Sequence, residues 1–210
     1  MVIPFHIRFA LMLTLALTAC SQAKSGDVVF KDDFANVESG WPREADGEAI
    51  TDYADGEYKI EINVPALNVW AASGPRLADS IIDVDLRPAA GPDDNLYGVL
   101  CRYRDDKNFY FFVISADGYY AVGKYNDGAQ TFLSGQSYEY SDKILPGNAS
   151  NHLVATCSGN DLRLVVNGTL LAQTTDQDFA DGQTGLIAGA FGLEDSPVDI
   201  RYDNLLVTQP

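Results

Sequence analysis

Histidine and cysteine are scarce in this 210-residue chain, which has two of the first and three of the second. His6 falls in an N-terminal leader, so His152 is the one histidine of the remaining sequence. Histidine-rich zinc sites and paired-histidine proton relays are thereby excluded. Positive charge is also in short supply: 14 Lys and Arg stand against 30 Asp and Glu, a formal net charge of −16. Such a chain repels phosphate backbones and anionic lipid surfaces, so nucleic acid is not an expected partner. Helical periodicity of useful length is missing after Val28, the EF-hand spacing is absent, and no Ser or Cys nucleophile has an evident base.

Met1 to Arg8 carries one cation and no acid, and an apolar stretch follows from Phe9 to Ala19, interrupted by Thr14 and Thr18. That layout predicts an export signal over residues 1–19, too short to span a bilayer. It ends in Leu17-Thr18-Ala19-Cys20, which resembles the lipobox of bacterial lipoproteins, where the cysteine thiol receives diacylglycerol. The resemblance implies lipidation of Cys20 and a membrane anchor in the cell envelope. Ser21, where an aspartate would signal inner-membrane retention, implies the outer membrane or cell surface. An ordinary signal peptide that contains a cysteine is the alternative. Residues 20–27 are then the lipidated cysteine and a short polar tether, and residues 28–210 suit a single β-sandwich domain. The two other cysteines, Cys101 and Cys157, read most simply as one disulfide, with two free buried thiols as the alternative.

From Val28 onward, short aromatic and β-branched runs alternate with clusters of Gly, Asp, Asn and Pro, the pattern of an all-β protein. Tyr97 to Arg104, Phe109 to Ile114 and Tyr119 to Lys124 form a three-stranded meander, with Asp117-Gly118 as a hairpin turn. His152 to Cys157 and Leu162 to Val166 form a second hairpin, and Asn167-Gly168 reverses the chain again. About a dozen strands are expected, enough for the two packed antiparallel sheets of a jelly roll.

Several segments carry a family resemblance: Phe34 with Gly40-Trp41-Pro42, Tyr58 to Glu61, Gly98 to Arg102, Asn108 to Tyr110, Asp117 to Tyr120, Leu162 to Gly168, and Tyr202 to Leu205. Together they resemble bacterial extracytoplasmic concanavalin A-like domains, related in fold to laminin G modules and family 16 glycoside hydrolases. The resemblance implies a jelly-roll sandwich, glycan binding or an accessory role, and in some members a structural calcium. It says less about activity than about fold, because one fold hosts many functions.

If the Asp105 to Asn108 loop and the Asp117-Gly118 turn pair their strands symmetrically, Cys101, Tyr103, Tyr110, Phe112 and Ile114 face inward. Arg102, Arg104, Phe109, Phe111, Val113, Val122 and Lys124 then share the other face. There aromatic rings stack on sugars while Arg102 and Lys124 reach one anionic or hydroxyl-rich ligand. Pairing of these cations with the abundant acids is the plainer alternative, and a slip of one residue inverts the whole assignment. Trp70 is the better of two tryptophan candidates for the groove, since Trp41 sits where a ring would cover the end of the core. Asp32 and Asp33 near the start and Asp203 and Asn204 near the end are calcium candidates if the terminal strands lie side by side. Strand-ending Asp and Asn residues need no metal, however.

A glycosidase needs two facing carboxylates, and Asp83 with Asp85 is the nearest approach. The family 16 pattern flanks an aspartate with glutamates, and both glutamates are missing here, so this pair reads as a solvated strand face, as His152 reads as a surface residue. The expected function is therefore a membrane-anchored, non-catalytic glycan-binding domain using Arg102, Lys124, Phe109, Phe111, Trp70 and Arg104. A structural lipoprotein that binds an envelope protein is the alternative, and a glycoside hydrolase ranks third.

Overall fold

The computed structural model describes residues 24–193 and 196–210. The leader and Cys20 lie outside the described residues. Sixteen strands are described: β1 (Val28–Asp32), β2 (Glu44–Ala45), β3 (Ala49–Ala54), β4 (Glu57–Ile62), β5 (Leu67–Leu77), β6 (Ser80–Ala90), β7 (Asn95–Asp105), β8 (Asn108–Ile114), β9 (Tyr119–Asn126), β10 (Ala129–Phe132), β11 (Glu139–Tyr140), β12 (Asn151–Ser158), β13 (Asp161–Val166), β14 (Thr169–Thr175), β15 (Gly182–Ala190) and β16 (Val198–Thr208). One antiparallel sheet has the order β14-β13-β12-β6-β16-β4-β3-β2, with β1 also on β16, and the other β10-β9-β8-β7-β15-β5, with β11 also on β9. They enclose one core to which both contribute, with Tyr58, Ile82, Val84 and Leu164 from the first sheet and Tyr97, Val99, Tyr110 and Phe112 from the second. This is the antiparallel jelly-roll sandwich that the sequence pattern indicates.

The two sheets are built from different kinds of strand. In β4, β6 and β12 burial alternates residue by residue, as it must when one face meets the core and the other meets water. In β7, β8 and β15 the buried positions run on without interruption. Those strands are covered on both faces, and their sequences accordingly read as continuous apolar runs such as Phe109 to Ile114.

Turn chemistry sets the registers. Asn167 and Gly168 both take positive φ, 50° and 78°, and close the two-residue turn between β13 and β14. Asp117-Gly118 behaves differently. The strands close at Ile114 opposite Tyr120, leaving a five-residue loop in which the Ser115 amide donates to the Tyr119 carbonyl. An odd loop shifts β9 by one residue relative to the symmetric expectation. Val122 consequently faces the inter-sheet core opposite Phe112, and Lys124 shares the side of Tyr110.

A second parity change occurs in β7. Pairing with β8 is interrupted between Cys101 and Asp105, and Arg102 takes a left-handed conformation with φ 52°. Gly182 permits this, because a Cβ there would collide with the Arg102 backbone. Tyr103, expected inside, emerges on the outer face of the sheet, whereas Arg102, expected outside, is 3% exposed. Its guanidinium donates to the carbonyls of Ala78, Phe179 and Gly159 at 2.7, 2.9 and 2.8 Å and to Asp79 at 3.2 Å. Beside it the Cys101–Cys157 disulfide joins β7 to β12, closing a sequence separation of 56 residues across the sandwich. In the chain-entropy picture such a closure contributes about 4 kcal/mol.

Arg102→Met removes a buried cation and leaves three carbonyls without their donor, that of buried Phe179 and those of exposed Ala78 and Gly159. We expect a loss of roughly 3–5 kcal/mol in unfolding free energy, read as a lower urea midpoint with unchanged slope. A loss below about 1 kcal/mol would show that water takes over these bonds at little cost.

Candidate functional site

Aromatic residues collect on the outer face of the seven-stranded sheet. Its floor is Leu96, Leu100, Phe109, Phe111, Val113, Ala121 and Ile187, all buried, with half-buried Trp70, Tyr103, Tyr125, Phe132 and Tyr138 packed over them. Gly123 leaves room for this layer, since a Cβ there would strike the Phe111 ring. Trp70 on β5 and Phe109 on β8 are separated by two intervening strands, a backbone distance of roughly 14 Å in a flat sheet. Their ring centroids nevertheless lie 5.2 Å apart. Asn68 on β5 reaches still farther, donating to the Tyr125 hydroxyl on β9 at 3.3 Å. The flanks of the sheet thus lean toward each other, making the face concave and filling its centre with its own side chains.

At one flank of this aromatic layer lies an open groove of about 460 Å³, between the β2–β3 edge and β5. Pro42, Glu44, Glu48 and Thr51 line one wall, and Asn68, Trp70, Tyr103 and Asp106 the other. Asp106 braces the aromatic wall, its Oδ1 accepting from Tyr103 Oη at 2.5 Å and from Trp70 Nε1 at 3.0 Å. These two donors hold the Asp106 carboxyl below the usual carboxylate range, while burial and Asp106 together push the Tyr103 phenol up. The groove wall therefore presents a fixed indole, a neutral phenol and a carboxylate that stays ionised.

The residues expected to form the site are only partly brought together. Phe109, Phe111 and Trp70 share the concave face, the first two as its floor. Arg102 is sealed between the sheets. Arg104 leaves the face with it, stacking over Phe179 at 5.3 Å and donating to the Asp181 carbonyl at 3.3 Å. Lys124 is held by Asp176 and Asp178, each at 2.5 Å, and Asp176 also accepts from the Tyr110 hydroxyl at 2.6 Å. Burial tends to lower the Lys124 ammonium, but the two carboxylates outweigh it and hold the group above its ordinary value. Burial and the Asp176 bond push Tyr110 up to about 12. The expectation that Arg102 and Lys124 reach one anionic or hydroxyl-rich ligand is thus corrected by two parity changes, and among the described residues no Lys or Arg lines the groove.

The terminal strands do lie side by side, Asp32 pairing with Leu205. Asp32, Asp33 and Asn204 line one open cavity there, and each also makes local hydrogen bonds. Asp32 accepts from the Phe34 amide at 2.9 Å and from the indole of the buried Trp41 at 3.0 Å, Asp33 from the Ala35 amide at 3.2 Å, and Asn204 donates to Asp85 at 3.0 Å. Asp203 accepts from the Asn204 amide at 2.7 Å. Among the described residues no group of three or more His, Cys, Asp or Glu side chains is arranged to hold a metal ion. Asp83 and Asp85 stand on the outer face of the nine-stranded sheet, where His152 contacts both, at 3.3 and 2.9 Å.

Tyr103, Asp106, Tyr125, Phe132 and Tyr138 escaped the sequence reading. Tyr103 and Tyr125 were hidden by the bulge and by the odd turn. A signal for Tyr125 does exist in the sequence, since it alternates with Ala121 and Gly123, small residues that suit a crowded floor.

Comparisons with solved structures agree with this architecture. The chain is similar to a carbohydrate-binding module, CBM66, of Bacillus subtilis, with a TM-score of 0.65 at 16% identity over 81% of this chain and 96% of that one. A Bacillus subtilis protein of unknown function with a galectin-like fold gives 0.65 at 12% identity, covering 90% and 98%. A Bacillus licheniformis β-glucanase gives 0.63 at 13%, covering 86% and 98%. No known family profile matches the sequence, and no curated protein matches it. The fold is the concanavalin A-like, galectin-like jelly roll.

The hydrogen bond that His152 donates to Asp85 raises the His152 pKa above 6.5, with burial opposing it and Asp83 adding to it. A group raised in the folded state stabilises fully below its unfolded pKa and loses that contribution as pH rises through the folded one. His152→Gln should therefore destabilise most just below pH 6.5 and progressively less above it, measured by denaturant unfolding across that range. A pH-independent difference would show that the imidazole acts there only through packing.

Proposed function

We propose that this protein is a non-catalytic carbohydrate-binding lipoprotein, anchored through Cys20 to a membrane of the bacterial envelope and exposed outside the cytoplasm. The observation that carries the reading is the Trp70 groove. A pyranose offers an apolar C–H face and a rim of hydroxyls. The groove offers a fixed indole plane beside Asn68, Thr51, Glu44 and Asp106, which can exchange hydrogen bonds with such a rim. Bracing by Asp106 lowers the ordering cost of stacking, because Trp70 is held before the ligand arrives. The similar folds include a carbohydrate-binding module and a glucanase, which supports the reading without deciding it.

Catalysis fits the face poorly. Glycosidases hold two carboxylates about 5–9.5 Å apart across the scissile bond. The floor of this concave face is apolar throughout, and the space above its centre is occupied by the protein's own rings. Asp83 and Asp85 lie on the other sheet, bridged by His152.

A glycan-array screen of the purified protein, with and without calcium, tests this reading beside Trp70→Ala and Asp106→Ala. Binding to one class of glycan is expected, reduced at least about tenfold by Trp70→Ala and less by Asp106→Ala. Absence of binding under both conditions, or equal binding by the folded Trp70→Ala variant, would contradict it.

A further inference from the structure

Resting on the carbohydrate reading, we infer that the pocket beneath Tyr119, Tyr138 and Phe191 is a second saccharide subsite, and that the ligand is an uncharged, linear polysaccharide gripped along its interior at two places. The pocket measures about 330 Å³ and lies at the end of the sheet where β7 begins and β8 finishes. Leu96 and Ile114 form its apolar base, while Ser115 and Asp117 supply a polar rim. Tyr119, Tyr140 and Phe191, exposed by 43%, 65% and 44%, gather around this one place. Tyr119 and Tyr140 meet edge to face at 5.6 Å, and the Tyr140 ring lies directly over Gly118, where a Cβ would come within 2.7 Å of it. Large rings held in position yet left in water mark a recognition surface.

The occupant is set by continuity with the first groove. From Trp70 an unbroken series of rings leads to the second pocket: Tyr125, Phe111, Phe132, Tyr138 and Phe191, in steps of 6.3, 5.9, 6.4, 5.0 and 5.8 Å. Phe111 is buried in the floor, so the accessible rings form two groups, Trp70 with Tyr125 and Phe132 with Tyr138 and Phe191, joined beneath the surface by Phe111. Each step between neighbouring rings is comparable with the length of one sugar unit, and a cavity lies at each end of the series. The series suits successive units of an extended chain better than a single terminal residue.

Charge narrows the class. Among the described residues, the ionisable side chains at the two grooves are carboxylates and phenols: Glu44, Asp46, Glu48 and Asp106 at one, Asp94 and Asp117 at the other, with no cation at either. Uronate and sulfated polymers meet repulsion at both ends, whereas a neutral polymer meets hydrogen-bond acceptors. Two linked contacts raise affinity by effective concentration once the chain is long enough to reach both.

The test uses ladders of cello-, laminari-, xylo- and manno-oligosaccharides from disaccharide to octasaccharide, with polygalacturonate as the anionic control, titrated calorimetrically into the full-length protein. For the ladder that binds, the octasaccharide is expected to bind at least about tenfold tighter than the trisaccharide, and polygalacturonate not at all. Phe191→Ala with Tyr119→Ser, two exposed positions, should bring the octasaccharide to trisaccharide affinity without moving the trisaccharide or the unfolding midpoint. Affinity that is flat with length, an unaffected octasaccharide in the double variant, or tighter binding of polygalacturonate overturns the second subsite while short-chain binding sensitive to Trp70→Ala keeps the carbohydrate reading. Absence of binding by every ladder overturns both.

Discussion

The bulge at Arg102 is the constraint on which the character of this face depends. Extra backbone in β7, one residue relative to β15 and two relative to β8, is tolerated because Gly182 has no side chain, and it turns the guanidinium inward and the next residue outward. Inside, Arg102 ties the carbonyls of three separate segments together beside the Cys101–Cys157 link between the sheets. Outside, Tyr103 joins Asp106 and Trp70 to form the groove wall. The same event therefore fastens one end of the sandwich and removes a cation from the outer face of the seven-stranded sheet. Without it the face would present a positive charge beside its rings and would suit an anionic partner.

The concave face shows how a sheet can carry a second core. Side chains leaning in from β5 and β9 cover Leu100, Phe109 and Phe111 so completely that the central strands are buried on both faces. Burial at roughly 25 cal/mol per Å² makes this layer a stabilising feature in its own right. Open grooves remain at its margins. A rigid surface of that kind favours binding with little reorganisation of the protein.

Much of this fold was legible in the sequence because its signals are local. Asn167-Gly168 and the Ser158 to Asp161 turn close hairpins in the expected register, and alternation in β12 and β13 follows from them. The inward set Cys101, Tyr110, Phe112 and Ile114 was readable for the same reason. Two signals failed, and both concern parity. Asp117-Gly118 has the composition of a two-residue turn but lies within a five-residue loop, which inverted Val122 and Lys124. The bulge inverted Arg102 and Tyr103, and its cause, the close approach of Gly182, lies far along the chain in a neighbouring strand. Loop parity and long-range contact are the two properties that periodicity cannot report.

On the proposed function, the aromatic face of the seven-stranded sheet meets the ligand. Amide chemical shifts of the isotopically labelled protein, followed during titration with a neutral oligosaccharide that it binds, test this most directly. Perturbations are predicted at the Trp70, Tyr103, Asp106 and Tyr125 amides and their neighbours, with His152, Asp83 and Asp85 on the opposite sheet unmoved. Perturbations centred on His152 and Asp85, with the Trp70 region silent, would contradict the account.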